Sequence, residues 1–92
     1  MAQVVITLKI MPKSPDTDLN SIETLARTKI LAFTNNSEMK ANQEPIAFGL
    51  KALNILFVMD ESKGSTDKME EEIRAIEGVN SAEVTDVRRA IG

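Results

Sequence analysis

A chain of 92 residues with 42% apolar side chains can bury one core without disulfide or metal staples, so a single domain over residues 1–92 is expected. It has no cysteine and no histidine, which excludes disulfide frameworks, thiolate nucleophiles, cysteine-ligated zinc and the commonest general base, and fits a reducing, cytoplasmic setting. Fourteen acidic against eleven basic side chains leave a net charge of -3, the wrong sign for a protein whose main ligand is a bare phosphate backbone.

The N-terminus, MAQVVITLKIMPKSP, lacks the basic and apolar regions of a secretory signal. No apolar run approaches the roughly 20 residues that span a bilayer, so no membrane partner is expected. Val4, Ile6, Leu8 and Ile10 alternate with Val5, Thr7 and Lys9, the period of a strand with one buried face, ending at Pro12. After the turn Lys13-Ser14-Pro15-Asp16, the residues Leu19, Ile22, Ala26, Ile30 and Phe33 recur at three- and four-residue steps. They predict an amphipathic helix capped by Asp16, Thr17 or Asp18 and closed near Asn35-Asn36. Ser37 to Ile46 is a weaker stretch whose Pro45 suits an edge strand.

From Leu53 the alternation of Leu53, Ile55, Phe57 and Met59 with Asn54, Leu56, Val58 and Asp60 gives the most apolar strand of the chain. Lys63-Gly64-Ser65 marks a turn. Ser65 or Thr66 can cap a second helix carrying Met69, Ile73 and Ile76, with Gly78 placed as its C-terminal glycine. Val79 to Val84 reads as the last strand, with Ala82 and Val84 facing inward. The order strand, helix, strand, strand, helix, strand predicts an α+β, ferredoxin-like βαββαβ sandwich: two helices on one face of a four-stranded antiparallel sheet with strands one and three central.

Chemical motifs are scarce. No glycine-rich phosphate loop is present, and Glu70-Glu71-Glu72 occupy successive helix positions that point in different directions. They read as a solvated face, with Glu70 paired to Arg74 four residues on. No metal or cofactor is expected. Domains of this strand order that bind RNA need aromatic residues on the open faces of the central strands. Here those positions are Val5, Thr7, Lys9, Asn54, Leu56 and Val58, so no base can stack and no direct nucleic-acid partner is expected. The loop Pro12-Lys13-Ser14-Pro15 has no arginine to hold a phosphate, which argues against a hydrolase of the acylphosphatase type.

One segment resists a structural reading. In QEPIAFGLKALN, residues 43–54, Phe48 stands beside Gly49 where a polar turn is ordinary. Either Phe48 folds back to plug the end of the core, or Pro45 and Gly49 present Ile46, Phe48 and Leu50 on a fixed apolar bend that anchors a partner.

The stretch EPIAFGLKALNILFVMDE, the helix opening near SPDTDL, and the closing EGVNSAEVTDVRRAIG resemble the archaeal translation elongation factor 1-beta family over essentially the whole chain. The resemblance implies the same split βαβ fold and guanine nucleotide exchange on elongation factor 1-alpha, the GTPase that carries aminoacyl-tRNA, with no cofactor and no bond made or broken. It places the phenylalanine of the Pro-Ile-x-Phe-Gly loop on the surface that engages the GTPase. Phe48 is therefore expected at the contact, with Pro45, Ile46, Gly49, Leu50 and Lys51 as its setting. Eukaryotic members carry a lysine near the chain end that reaches the magnesium site of the GTPase, and extra N-terminal segments. This chain reads as the exchange domain alone, and after Thr85-Asp86 it runs Val87-Arg88-Arg89-Ala90-Ile91-Gly92, with no lysine. Arg88 and Arg89 are the nearby cations, with two roles open: perturbing the magnesium or phosphate site, or pairing with surface carboxylates. The alternative function is a ferredoxin-like regulatory or assembly domain that binds a small ligand or a protein subunit through its sheet.

Overall fold

In the computed structural model, which describes residues 3–89, the elements run β1 (Gln3–Pro12), α1 (Leu19–Thr34), β2 (Met39–Pro45), β3 (Lys51–Asp60), a short 3-10 turn (Glu61–Lys63), α2 (Asp67–Arg74) and β4 (Val79–Arg89). The strands form one antiparallel sheet in the order β2-β3-β1-β4. The βαββαβ arrangement is thus present, with the two most hydrophobic strands at its centre. One face of every strand looks toward the helices. From it Leu8, Ile10, Leu53, Ile55 and Phe57 meet Ile22, Ala26 and Ile30 of α1 and Met69 and Ile73 of α2, all buried. Phe33, expected in that core, is only half-buried at its margin, because the last inward position of α1 belongs to Thr34. The Thr34 hydroxyl is satisfied by donating to the Ile30 carbonyl at 2.9 Å.

Asp18 is the cap of α1. Its Oδ1 accepts from the backbone N–H groups of Asn20 and Ser21 at 3.0 and 3.3 Å, and its Oδ2 accepts from the Ser21 hydroxyl at 2.9 Å. The Ser21 hydroxyl, with the Ser21 and Asn20 backbone donors, holds the Asp18 carboxyl below its ordinary value. A depressed folded-state pKa stabilises the chain above the unfolded pKa, and that contribution is lost as pH falls through the folded value. Asp18→Ala is therefore expected to lower Tm by several degrees at neutral pH, with the gap to the native chain closing in strong acid; thermal melts at the two pH values check it. At the other end of α1, Asn35 takes the left-handed conformation (φ 56°) and donates its N–H to the Leu31 carbonyl at 2.8 Å.

Three local expectations need correction. Helix α2 stops at Arg74, short of Ile76, and Gly78 is not its cap. Ile76 donates to Ile73 and Val79 to Ile76, tightening the chain into a turn. Gly78, at φ 93°, lies so close to α1 and its loop that a β-carbon there would sit 2.9 Å from Thr17 Cγ2. Its missing side chain serves that close approach. Second, Glu70 does not pair with Arg74. Glu70 accepts from the Val84 N–H through Oε1 at 3.2 Å and from the Thr66 hydroxyl through Oε2 at 2.9 Å, and Arg74 Nη1 donates to the Ala82 carbonyl at 2.8 Å. Both helix side chains reach across to β4. Third, β4 extends five residues past Val84, with a register shift opposite Thr7 and Leu8 that leaves Thr85 without a partner residue.

Candidate functional site

Strands β2 and β3 are joined through the segment that sequence could not resolve. Beyond the last pair, Pro45 with Lys51, Ile46 donates to the Leu50 carbonyl at 2.8 Å and Leu50 to the Ala47 carbonyl at 3.2 Å. Phe48 and Gly49, the central residues, both have positive φ, 61° and 77°. This is the backbone of a type I′ hairpin turn, which matches strand twist and ordinarily carries Asn-Gly. A β-carbon on Gly49 would meet only Pro15 at 3.8 Å, so the glycine is there for its φ.

Phe48 is the exception in that turn. A bulky side chain in the left-handed region is a conformational outlier, at a cost of order 1–3 kcal/mol. Its own chain gives nothing back, because Phe48 is 94% exposed. The reading in which it plugs the core is ruled out by that exposure. Pro45, Ile46 and Lys51 are also exposed and Leu50 is half-buried, so the residues singled out from the sequence come together around one apolar tip.

Arg88 and Arg89 lie elsewhere. Both are on the last residues of β4, where Arg88 pairs with Val5 and Arg89 with Val4 of β1. Arg88 Nε donates to Asp86 Oδ2 at 2.8 Å, and Arg89 Nη2 is 3.5 Å from Glu61 Oε2. Exposed pairs of this sort contribute little stability, and the two side chains remain 80% and 76% accessible. Ala90 to Gly92, the end of that run, lie outside the described residues. The start of β3 holds the Phe48 turn, whereas its end, Asp60, pairs with Gln3 beside the arginines. With 10 residues in β3, about 30 Å separates the two stations, along a molecule 42 Å in its longest dimension.

The face of the sheet away from the helices carries Val5, Thr7, Lys9, Asn54, Leu56 and Val58, each half-buried. Val5, Leu56 and Val58, with Glu38 and Lys40, line a shallow groove of about 520 Å³. Among the described residues no group of three or more acidic side chains is placed to hold a metal ion, and no helix is long and apolar enough to cross a membrane.

Among solved structures, the chain resembles BlrP1 BLUF, with a TM-score of 0.56 at 10% identity, over 100% of this chain and 57% of that one. That likeness concerns the fold alone. Curated relatives are nearer. Elongation factor 1-beta of Methanothermobacter thermautotrophicus is 46% identical over 97% of this chain and 98% of its own length, and that of Methanobrevibacter smithii is 43% identical over the same shares. The EF-1 guanine nucleotide exchange domain matches residues 5–90. The chain belongs to the EF-1 guanine nucleotide exchange domain family and is a nucleotide exchange factor of translation elongation.

Proposed function

We propose that this chain promotes GDP release and GTP loading on elongation factor 1-alpha in the cytoplasm, by protein contact alone, without a cofactor, a metal or direct nucleic-acid binding. The observation that carries the reading is the exposed phenylalanine in a strained turn. A residue held in an unfavourable conformation and rewarded by nothing in its own chain is accounted for by a partner that covers it.

Exchange then follows from linkage. A GTPase holds GDP through a phosphate-cradling loop and a magnesium ion, so unaided release is slow. A factor that prefers the empty form weakens nucleotide affinity by the same ratio by which nucleotide weakens its own binding. GDP leaves, and the next nucleotide expels the factor. The Phe48 turn, with Pro45, Ile46, Gly49, Leu50 and Lys51, docks one region of the GTPase, and Arg88 and Arg89 act on another about 30 Å away. A factor gripping both ends can favour one relative placement of the two regions. At the second station, where this chain has no counterpart of the eukaryotic lysine, Arg88 or Arg89 perturbs the magnesium or phosphate site by competing with magnesium for phosphate or carboxylate oxygens.

The test is release of a fluorescent GDP analogue from the cognate elongation factor 1-alpha. The native chain should accelerate release, and Arg88→Ala or Arg89→Ala should cut the acceleration about tenfold while binding to the GTPase persists. Unchanged exchange in both variants would remove the arginines from the mechanism. No acceleration by the native chain at any concentration would reject the reading for this GTPase.

A further inference from the structure

The two arginines at the end of β4 are neighbours in sequence and opposites in space. Successive side chains of a strand alternate between faces, and residues directly opposite one another in an antiparallel pair share a face. Arg88 is paired with Val5, on the open face of the sheet, and Arg89 with Val4, which is buried on the helix side. The two guanidinium groups therefore leave the strand in opposite directions.

An extra residue sets this phase. Val84 pairs with Leu8 and faces inward, and Asp86 pairs with Thr7, so Thr85 stands between them as a bulge. The Thr85 hydroxyl donates to the Thr7 carbonyl at 3.4 Å. A straight continuation would set Thr85 against Thr7, Asp86 against Ile6 and Arg88 against Val4, sending both Asp86 and Arg88 to the helix side. The bulge brings them onto the open face instead. Bulges interrupt a ladder and recur where a strand has to re-aim a side chain.

The two side chains also differ in what they have left to offer. Asp86 lies two residues before Arg88 on the same face, and its Oδ2 accepts from Arg88 Nε at 2.8 Å. That bond uses the inner nitrogen and orients the fork. Nη1 and Nη2 of Arg88, the pair that grips two oxygens of a phosphate or carboxylate at once, make no hydrogen bond among the described residues. A guanidinium already oriented loses less freedom when a partner arrives. Arg89 instead turns a terminal nitrogen, Nη2, to Glu61 Oε2 at 3.5 Å. Glu61 is placed by the 3-10 turn, in which the Ser62 N–H donates to Asp60 Oδ1 at 2.9 Å and the Gly64 N–H to the Glu61 carbonyl at 3.3 Å. This second contact runs from β4 to the turn that follows β3, the geometry of a tie within the fold.

We infer that Arg88, oriented by Asp86, is the cation that meets the phosphate or magnesium-binding oxygens of the GTPase, and that Arg89 braces the end of β4. The assignment rests on the exchange reading and goes beyond it by separating the roles of two adjacent residues and adding Asp86 as a positioning residue.

Release of a fluorescent GDP analogue, measured over a range of concentrations of the full chain, gives a maximal rate and a half-saturating concentration for the native protein and each variant. Arg88→Ala should lower the maximal rate about tenfold and leave the half-saturating concentration within about twofold, since docking belongs to the Phe48 turn. Arg89→Ala should keep the maximal rate within about twofold of the native value, as loss of an exposed tie implies. Asp86→Ala should lower that rate about threefold, and Asp86→Asn, whose amide oxygen still accepts from Nε, should recover most of the loss. Asp86→Ala should add nothing once Arg88 is replaced by alanine. Far-ultraviolet circular dichroism confirms that each variant is folded. A native chain that accelerates release, with Arg88→Ala equally active or Arg89→Ala equally impaired, would overturn the assignment alone. An Asp86→Ala loss that persists in the Arg88→Ala background would overturn the positioning role. No acceleration by the native chain would overturn the exchange reading and the assignment with it.

Discussion

Phe48→Asn is expected to make the chain more stable and nearly inactive in exchange. Asparagine tolerates a left-handed backbone, and Asn-Gly is the preferred pair for the turn that Phe48 and Gly49 adopt at φ 61° and 77°. Almost no apolar burial is lost, since Phe48 is 94% exposed. The turn should gain about 1 kcal/mol, raising Tm by roughly 4–8 °C for a domain of this size. Exchange on elongation factor 1-alpha should meanwhile fall about 30-fold or more, the loss typical of an interface anchor. Thermal melts and the nucleotide-release assay on one preparation check both halves. A variant that is less stable would show that the turn is not strained, and one that exchanges normally would show that the partner does not use the ring.

The opposite outcome is expected for Phe57→Ala, a change of the same residue type in another place. Phe57 is fully buried on a central strand, between Ile6 of β1 and Met39 of β2. Truncation removes a ring from a packed site and leaves a cavity, at a cost of about 3–5 kcal/mol. A 92-residue domain has on the order of 5–14 kcal/mol to lose. The midpoint of urea unfolding should fall by about 2 M, with any loss of exchange following from loss of fold. A destabilisation below about 1 kcal/mol would mean that the core closes over the gap, contrary to a close-packed strand paired on both of its edges.

These two phenylalanines also mark what the sequence can and cannot disclose. Phe57 was legible because strand alternation assigns it to one face, and the same rule located Ile6, Leu8, Ile55 and Met59. The strand order and Asp18's place among the candidate caps followed from equally local signals. Phe48 belongs to no period. Whether it turns inward or outward depends on the φ angles of two residues, and an aromatic at the first of them is not what turn statistics favour. The end of α2 is hidden from the sequence for a related reason: Gly78 is required by Thr17, a contact 61 positions away in sequence that no local pattern contains. Glu70 and Arg74 had the spacing of an ion pair, but backbone groups of β4 offered each a better partner. The separation of Phe48 from the arginines becomes visible only once the strands are paired.

The reach of α2 toward β4 has a consequence for what the protein avoids. β4 is an outermost strand, and a bare row of amides and carbonyls there would be a template on which further chains could polymerise. The Glu70 carboxylate occupies the Val84 amide and the Arg74 guanidinium occupies the Ala82 carbonyl, so the midpoint of that border is already spoken for. The opposite border, β2, ends in Pro45 and carries Lys40 outward, two common obstacles to strand addition. A protein built on an open sheet is thereby guarded against fibrous growth along both described margins, and on one of them the guard is two helix side chains, Glu70 and Arg74.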